Sequence, residues 1–275
     1  MSYKLCEQEF NKLQEFINRQ CAIYLDDKYC ERLSLYTSQR FNELNISNFS
    51  DYFFQLRFDT THEELQKLIN AITINDTYFD REKKQFEIMV KNILPELYKT
   101  RSQKQAIRIL SAPCSSGEEV YSIMMHILNT QDLDPDTEIE ILGIDIDTEM
   151  IQKAKRGMYD LRSLKLLTTQ ERKKYFTSCK EEFQISKQLM DRVTFKNINV
   201  RDTQKMEELG KFDLIFSRNM FIYFDELSRK DIAMTFYNML NDNGYIFLGH
   251  TEQMSRIVSS FEAIELENTL VYKKL

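Results

Sequence analysis

The segment from Ile107 to Asp145 constrains the fold of this chain more than any other. It reads IRILSAPCSSGEEVYSIMMHIL, then a polar gap, then IEILGIDID. Ile107, Ile109 and Leu110 supply a buried strand, and Ala112 to Gly117 form a turn of small residues. Val120, Ile123, Met124 and Ile127 then repeat at helical spacing, and a second apolar run ends on the acid Asp145. Strand, tight turn, helix and strand make the front half of a nucleotide-binding βαβ unit. Small turn residues let backbone N–H groups and the helix N-terminus approach a ligand closely. Asp145, at the carboxyl end of its strand, is placed to accept hydrogen bonds from both hydroxyls of a ribose. The competing reading is an ordinary βα turn in a protein whose site lies elsewhere.

The turn narrows the ligand further. A dinucleotide fingerprint needs glycine three times, because a pyrophosphate must lie on the backbone; here those positions hold Ala112, Cys114 and Gly117. Glu118 and Glu119 disfavour a phosphate and suit a ligand with a cationic group. S-adenosylmethionine, with an ammonium, a sulfonium, a ribose and no phosphate, fits these residues better than a nicotinamide dinucleotide.

At 275 residues and 42% hydrophobic content the chain can bury one or two cores. A net charge of −6 argues against nucleic acid as the main partner. The first residues, MSYKLCEQEF, lack the apolar core of a signal peptide, and no apolar run approaches the roughly 18 residues of a membrane span. The expectation is a cytoplasmic protein without membrane insertion. Cys6, Cys21, Cys30, Cys114 and Cys179 are scattered and odd in number, which suits a reducing compartment, and His62, His126 and His250 do not cluster. No metal is expected. Cys114 reads as a small buried residue of the tight turn.

Residues 5 to 72 carry only helical patterns. Phe10, Leu13, Phe16 and Ile17 form one stripe, Leu33, Tyr36, Phe41 and Leu44 a second, Tyr52, Phe53 and Leu56 a third, and Leu65, Leu68 and Ile69 a fourth. Thr60 or Thr61 is the expected cap of the fourth helix. Residues 76–105 read as a helical linker, with Phe86, Met89, Val90, Ile93 and Leu94 on one face. From 106 to 275 strands and helices alternate, so a parallel sheet with crossover helices is expected. Gly157 ends the helix TEMIQKAKR. The patterns FQIS and RVTFKNI suggest a small antiparallel insertion at about 176–199. FDLIFSRN is a buried strand, Asp225 caps the next helix, Asn243-Gly244 closes it, and the last residues suggest a hairpin. Asp145, Arg218 and Asn219 then share the rim of strand ends where open sheets bind ligands.

Five blocks occur in order: INDTYFDRE, SAPCSSGEEVYS, GIDIDTEMIQKAKRGMY, FDLIFSRNMFIYF and GHTE. Together with AIYLDDKYCERLSLY near the amino terminus they resemble the CheR family of chemotaxis receptor methyltransferases, over nearly the whole chain. The resemblance implies an α/β, class I (Rossmann-like) S-adenosylmethionine-dependent methyltransferase domain with a small antiparallel β insertion, preceded by an all-α domain (residues 1–75) that docks the acceptor. It implies a protein-glutamate O-methyltransferase acting on cytoplasmic helices of methyl-accepting chemotaxis receptors, with S-adenosylhomocysteine as product. Carried onto matching positions, the cofactor contacts are Asn75, Thr77, Arg81, Glu119, Asp145, Asn199, Val200, Arg218 and Asn219. Arg81 and Tyr223 are the implied catalytic positions, and the protein is expected to act as a monomer.

These residue types suit the chemistry independently. A glutamate carboxylate, which ordinarily titrates at about 4.3, is ionised at neutral pH, so no general base is needed. Alignment and exclusion of water remain for the protein. Arg81 is read as a positioning cation whose guanidinium forks onto a carboxylate, the cofactor's or the incoming glutamate's, and Tyr223 as a group that orients the acceptor or covers the methyl group. Each also has a duller reading: Asn75 and Thr77 as helix caps, Arg81 as a solvated charge, Tyr223 as a core aromatic. Lys28, Arg32 and Arg40 fall within about a third of a helix circumference and form a candidate basic stripe for an acidic receptor helix. Thr177 to Met190 lacks the loop glycines of those relatives whose β insertion grips a receptor peptide. The alternative reading is a CheR-like module that binds the cofactor as a scaffold in another signalling system.

Overall fold

A computed structural model describes residues 3–100, 105–130 and 138–274, the side chain of Thr100 excepted. Four helices come first: α1 (Glu7–Cys21), α2 (Tyr29–Leu44), α3 (Phe49–Phe58) and α4 (Glu63–Ile72). Leu13, Ile17, Leu33, Tyr52 and Leu68 are wholly inaccessible and form the centre of the bundle. Their helical spacing is what the apolar stripes require. The cap of α4 differs from expectation. His62 occupies it in a left-handed conformation (φ 57°), and Asp59 reaches over to accept from the Glu64 N–H, while Thr61 Oγ1 accepts from Glu63.

Residues 73–82 are irregular, so the helical linker begins later than its sequence suggests. Asp80 and Glu82 both take positive φ (59° and 55°), which breaks a right-handed helix. Phe79 is fully buried against the rings of Tyr159 and Phe176 and pins this turn to the α/β domain. The helix then runs as α5 (Lys83–Ile88), a π turn (Met89–Ile93) and α6 (Leu94–Thr100), with Phe86, Met89, Val90, Ile93 and Leu94 all buried. The expected linker residues 101–104 lie outside the described residues.

The α/β part contains β1 (Ile107–Ser111), α7 (Glu118–Asn129), β2 (Ile139–Asp145), α8 (Thr148–Arg156), β3 (Met158–Tyr159), α9 (Thr169–Tyr175), β4 (Phe176–Cys179), β5 (Glu182–Ile185), α10 (Lys187–Met190), β6 (Val193–Asn197), α11 (Thr203–Glu207), β7 (Phe212–Ser217), α12 (Glu226–Met239), β8 (Leu240–Leu248), β9 (Phe261–Leu266) and β10 (Thr269–Lys274). The seven-stranded sheet has the order β6-β2-β1-β7-β8-β10-β9. The first five strands in that order are parallel, and the terminal hairpin adds two antiparallel strands. Helices cover both faces, α7 packing Val120, Ile123 and Met124 on one and α12 packing Ile232, Phe236 and Met239 on the other.

Two expectations need correction here. The antiparallel insertion is a three-stranded sheet of β3, β5 and β4, and it excludes RVTFKN. Those residues form β6, which pairs parallel with β2 and places Asn197 opposite Asp145. A half-buried edge strand alternates just as an antiparallel insertion does, so the pattern does not separate them. Likewise Asn243-Gly244 does not close α12, which ends at Met239. Asn243 (φ 62°) instead sits inside β8, where the register against β7 shifts between Phe212 and Leu214.

Candidate active site

A cavity of about 360 Å³ opens between the helical bundle and the carboxyl ends of the parallel strands. Parallel register brings Ser111 beside Gly143 and Phe216, so the loops after β1, β2 and β7 meet there. Asn75, Thr77, Arg81, Glu119, Asp145, Asn199, Val200, Arg218, Asn219 and Tyr223 all line it, although they come from five separate segments of the chain. Lys28, Arg32 and Arg40 do not.

The β1–α7 turn is held from beneath. Cys114 is buried, and its N–H donates to the Ile144 carbonyl at 2.8 Å. Gly117 caps α7 at φ 93°, and a Cβ there would lie 2.9 Å from Cβ of Ala154, so a side chain has neither the conformation nor the room. Asp145 is 5% exposed. Its Oδ2 accepts from the Ser115 N–H at 2.7 Å and its Oδ1 from the Asp147 N–H at 2.9 Å. Burial nevertheless outweighs those two bonds and pushes its carboxyl up to about 6. Each oxygen keeps a lone pair for a ligand hydroxyl.

The two adjacent glutamates have opposite fates. Glu119 lines the cavity, accepts from Ser111 Oγ at 2.8 Å and pairs with Arg218 Nε at 2.7 Å. Glu118 turns away from it, takes bonds from Ser116 (2.7 Å) and Ser163 (3.1 Å), and is pushed above its ordinary pKa by burial. A pair of acids facing one cationic ligand is therefore corrected to a single acid, already neutralised by a neighbour. Arg218 also donates to the Arg81 carbonyl at 2.8 Å and lies 5.0 Å from the Phe86 ring centroid.

Asn219 sits at φ 56° after β7, with its amide packed where a Cβ on Gly249 would collide at 2.9 Å. The turn that follows is braced by Glu252, a buried carboxylate that accepts from the N–H groups of Asn219 (2.7 Å), Phe221 (2.8 Å) and Gly249 (2.9 Å). Tyr223 ends this turn half-buried, and its phenol is raised by burial and so stays protonated. Its carbonyl accepts from Tyr24 N at 2.8 Å, and Ile23 bridges Phe224, which joins the bundle to the site.

On the opposite wall, neither Asn75 nor Thr77 caps a helix. Asn75 Nδ2 donates to Asp147 Oδ2 at 2.8 Å, as does Thr73 Oγ1 at 2.6 Å, while Asp147 Oδ1 caps α8. Arg81 donates to the Asp76 carbonyl at 2.8 Å and faces the cavity. Asn199 donates to the Gln20 carbonyl at 2.8 Å, so it also ties α1 to the α/β part. Sequence reading missed Tyr29, Ser115, Asp147 and Glu252. The signature D-T-E-M marks Asp147 as a helix cap, but nothing local marks Tyr29. His250 lies outside the cavity with Nδ1 3.0 Å from Glu82, exposed to solvent.

The basic stripe also needs correction. Arg40 is 6% exposed and forks onto Glu64 with contacts of 2.8 and 2.7 Å, so it faces the bundle interior. Lys28 precedes α2, and Arg32 donates to the Thr73 carbonyl at 3.2 Å.

Known proteins share both parts of this chain. The CheR methyltransferase SAM-binding domain matches residues 75–270, and the CheR methyltransferase all-alpha domain matches residues 8–73. Chemotaxis protein methyltransferase 2 of Vibrio cholerae is 36% identical over 271 residues, covering 98% of this chain and 94% of that protein. The chemotaxis protein methyltransferase of Campylobacter jejuni is 34% identical, covering 98% and 97%. That of Salmonella typhimurium is 31% identical, covering 94% and 88%.

Proposed function

This chain belongs to the CheR methyltransferase family, a methyltransferase of chemotaxis whose cofactor is S-adenosylmethionine, and from that premise we propose that it esterifies glutamate side chains on the cytoplasmic helices of chemoreceptors. The observation that carries the reading is the lining of the cavity: an open carboxylate, one buried cation–anion pair, a peripheral arginine and a protonated tyrosine, with no cluster of glycine N–H groups for a phosphate. A zwitterionic amino-acid head matches a wall that already holds Glu119 and Arg218 together. Asp145 would take the ribose hydroxyls with its remaining lone pairs, and Asn75, Thr77, Asn199, Val200 and Asn219 would enclose the rest.

When bound, the cofactor supplies a methyl group activated by its sulfonium. Arg81 orients a carboxylate through its planar guanidinium. Tyr223 donates its phenolic proton to an acceptor oxygen without giving it up. No side chain need remove a proton, because the acceptor carboxylate is already ionised. Ile23, Tyr29 and Phe224 close the apolar side of the cavity and keep water from the transfer. We read the protein as a cytoplasmic monomer; no helix among the described residues is long and apolar enough to cross a membrane.

The test is methyl transfer from labelled S-adenosylmethionine to a purified cytoplasmic receptor fragment. A carboxyl ester releases its label as methanol in mild alkali, and that is the expected outcome. Alkali-stable label, or cofactor binding without transfer, sinks the glutamate reading.

A further inference from the structure

Arg81 stands between two acids that both hold left-handed backbone, Asp80 (φ 59°) and Glu82 (φ 55°), and each acid meets a histidine from elsewhere in the fold. We propose that the buried contact of the two, Asp80 with His126 of α7, is the positioning device that aims Arg81 into the active-site cavity. The inference rests on the reading of Arg81 as the cation that orients a carboxylate, and adds what holds it in place.

Non-glycine residues take left-handed backbone at a cost, and two of them around one residue persist only where groups outside the turn enforce them. Phe79 seats the turn, and its N–H donates to the Ser163 carbonyl at 2.9 Å. Asp80 fixes how the chain leaves that seat. It is 1% exposed; its N–H donates to Ser122 Oγ at 3.0 Å, Oδ1 lies 3.0 Å from His126 Nε2, and Oδ2 lies 3.2 Å from Lys83 Nζ. Burial raises the pKa of this acid, but His126 and Lys83 together lower it by more, so it is ionised at neutral pH. A carboxylate only accepts, so His126 Nε2 is the donor. The His126 ring is largely buried and packs 5.4 Å from that of Phe86.

The same helix thus grips Arg81 twice. Through His126 it holds the residue before; through Glu119 it holds Arg218, which donates to the Arg81 carbonyl at 2.8 Å. The Arg81 guanidinium meets the Asp76 carbonyl at 2.8 Å and lies 5.7 Å from the Tyr78 ring centroid. Both partners belong to its own turn, so the backbone of that turn decides where the guanidinium reaches. The other contact, Glu82 with His250 Nδ1 at 3.0 Å, offers a comparison within the turn. The His250 side chain is 72% exposed, and such a contact in water holds little.

The experiment is a double-mutant cycle in the full chain. It is read as S-adenosylhomocysteine affinity by calorimetry and as methyl transfer to the receptor fragment. His126→Leu removes the donor and is expected to lower whichever readout Arg81→Met lowers, by about tenfold. His126→Gln, which keeps an N–H donor, restores that readout to within about twofold, and His250→Ala shifts it by less than about twofold. Asp80→Asn, which weakens the contact without removing volume, passes through the same cycle with the same expectation as the leucine variant. The combination decides: with Arg81→Met already present, His126→Leu costs nothing further, because its effect runs through Arg81. A general loosening of the fold gives losses that add. Additive losses, no loss in His126→Leu, or no rescue by glutamine overturns this inference and leaves the reading of Arg81 standing. Arg81→Met without effect on either readout overturns both.

Discussion

Two buried Arg–Glu pairs sit in the two halves of this molecule and do different things. In the bundle, Arg40 meets Glu64 with side chains 8% and 5% exposed, and ties α2 to α4. In the α/β part, Arg218 meets Glu119 with side chains 4% and 9% exposed, on the wall of the cavity. Burial and chemistry are nearly the same; what differs is the space beside each pair. The first is enclosed by packing, so it contributes only to the fold. The second borders a ligand-sized space, so a ligand placed there would meet its charge. A buried ion pair is therefore no functional signal until its surroundings are known.

The largest test breaks each pair. Arg218→Met and Arg40→Met leave an unpaired buried carboxylate, and each is expected to lower unfolding free energy by about 3–5 kcal/mol in denaturant titrations. Only Arg218→Met abolishes binding of S-adenosylhomocysteine by calorimetry; equal loss in both would erase the distinction. Replacing Arg40 and Glu64 together, by Met and Leu, is expected to recover stability to within about 1 kcal/mol of the parent.

Asp145→Asn comes next, with about 1.5–3 kcal/mol of cofactor binding free energy lost, near ten- to a hundredfold in affinity. The same residue sets a pH dependence. Because burial raises its carboxyl to about 6 in the folded protein, the ionised acceptor is lost as pH falls through 6, and affinity falls with it. The stability sign is opposite. A raised acid opposes folding above its unfolded pKa, so protonation below 6 relieves that cost. Affinity flat between pH 7.5 and 5 would remove Asp145 from the ribose role.

A smaller effect is expected of Tyr223→Phe: about 1 kcal/mol in kcat, with cofactor affinity intact. Smallest are Lys28→Ala and Arg32→Ala, within about 0.5 kcal/mol in stability and without change in acceptor KM. A large rise in KM would restore the stripe that burial of Arg40 removed.

Much of the molecule is legible in sequence wherever a period matches a face. The four bundle helices, β1, α7 and β2 follow from apolar spacing, and Asp145 follows from the strand that ends on it. Legibility fails where long-range contacts decide. Arg40 lies only about 80° round the helix from the exposed Arg32 by ideal geometry, but Glu64, on another helix, draws it inward. Glu118 and Glu119 are equivalent in sequence until Ser163 and Arg218 choose between them. The left-handed turns at Asp80 and Glu82 follow from the seat of Phe79 among distant rings, not from local propensity.

Glu252 gives the molecule an order of completion. The cavity-lining residues all precede Asp225 in the chain, but the turn that presents Asn219 and Tyr223 closes on a carboxylate that arrives after β8. A nascent chain that has emerged only through α12 owns the complete inventory of lining side chains and lacks the clasp that arranges them. Cofactor capture would then report that synthesis has passed β8, and a ribosome-bound series of lengthening chains is expected to acquire binding abruptly once Glu252 is free to reach the N–H groups of Asn219 and Phe221.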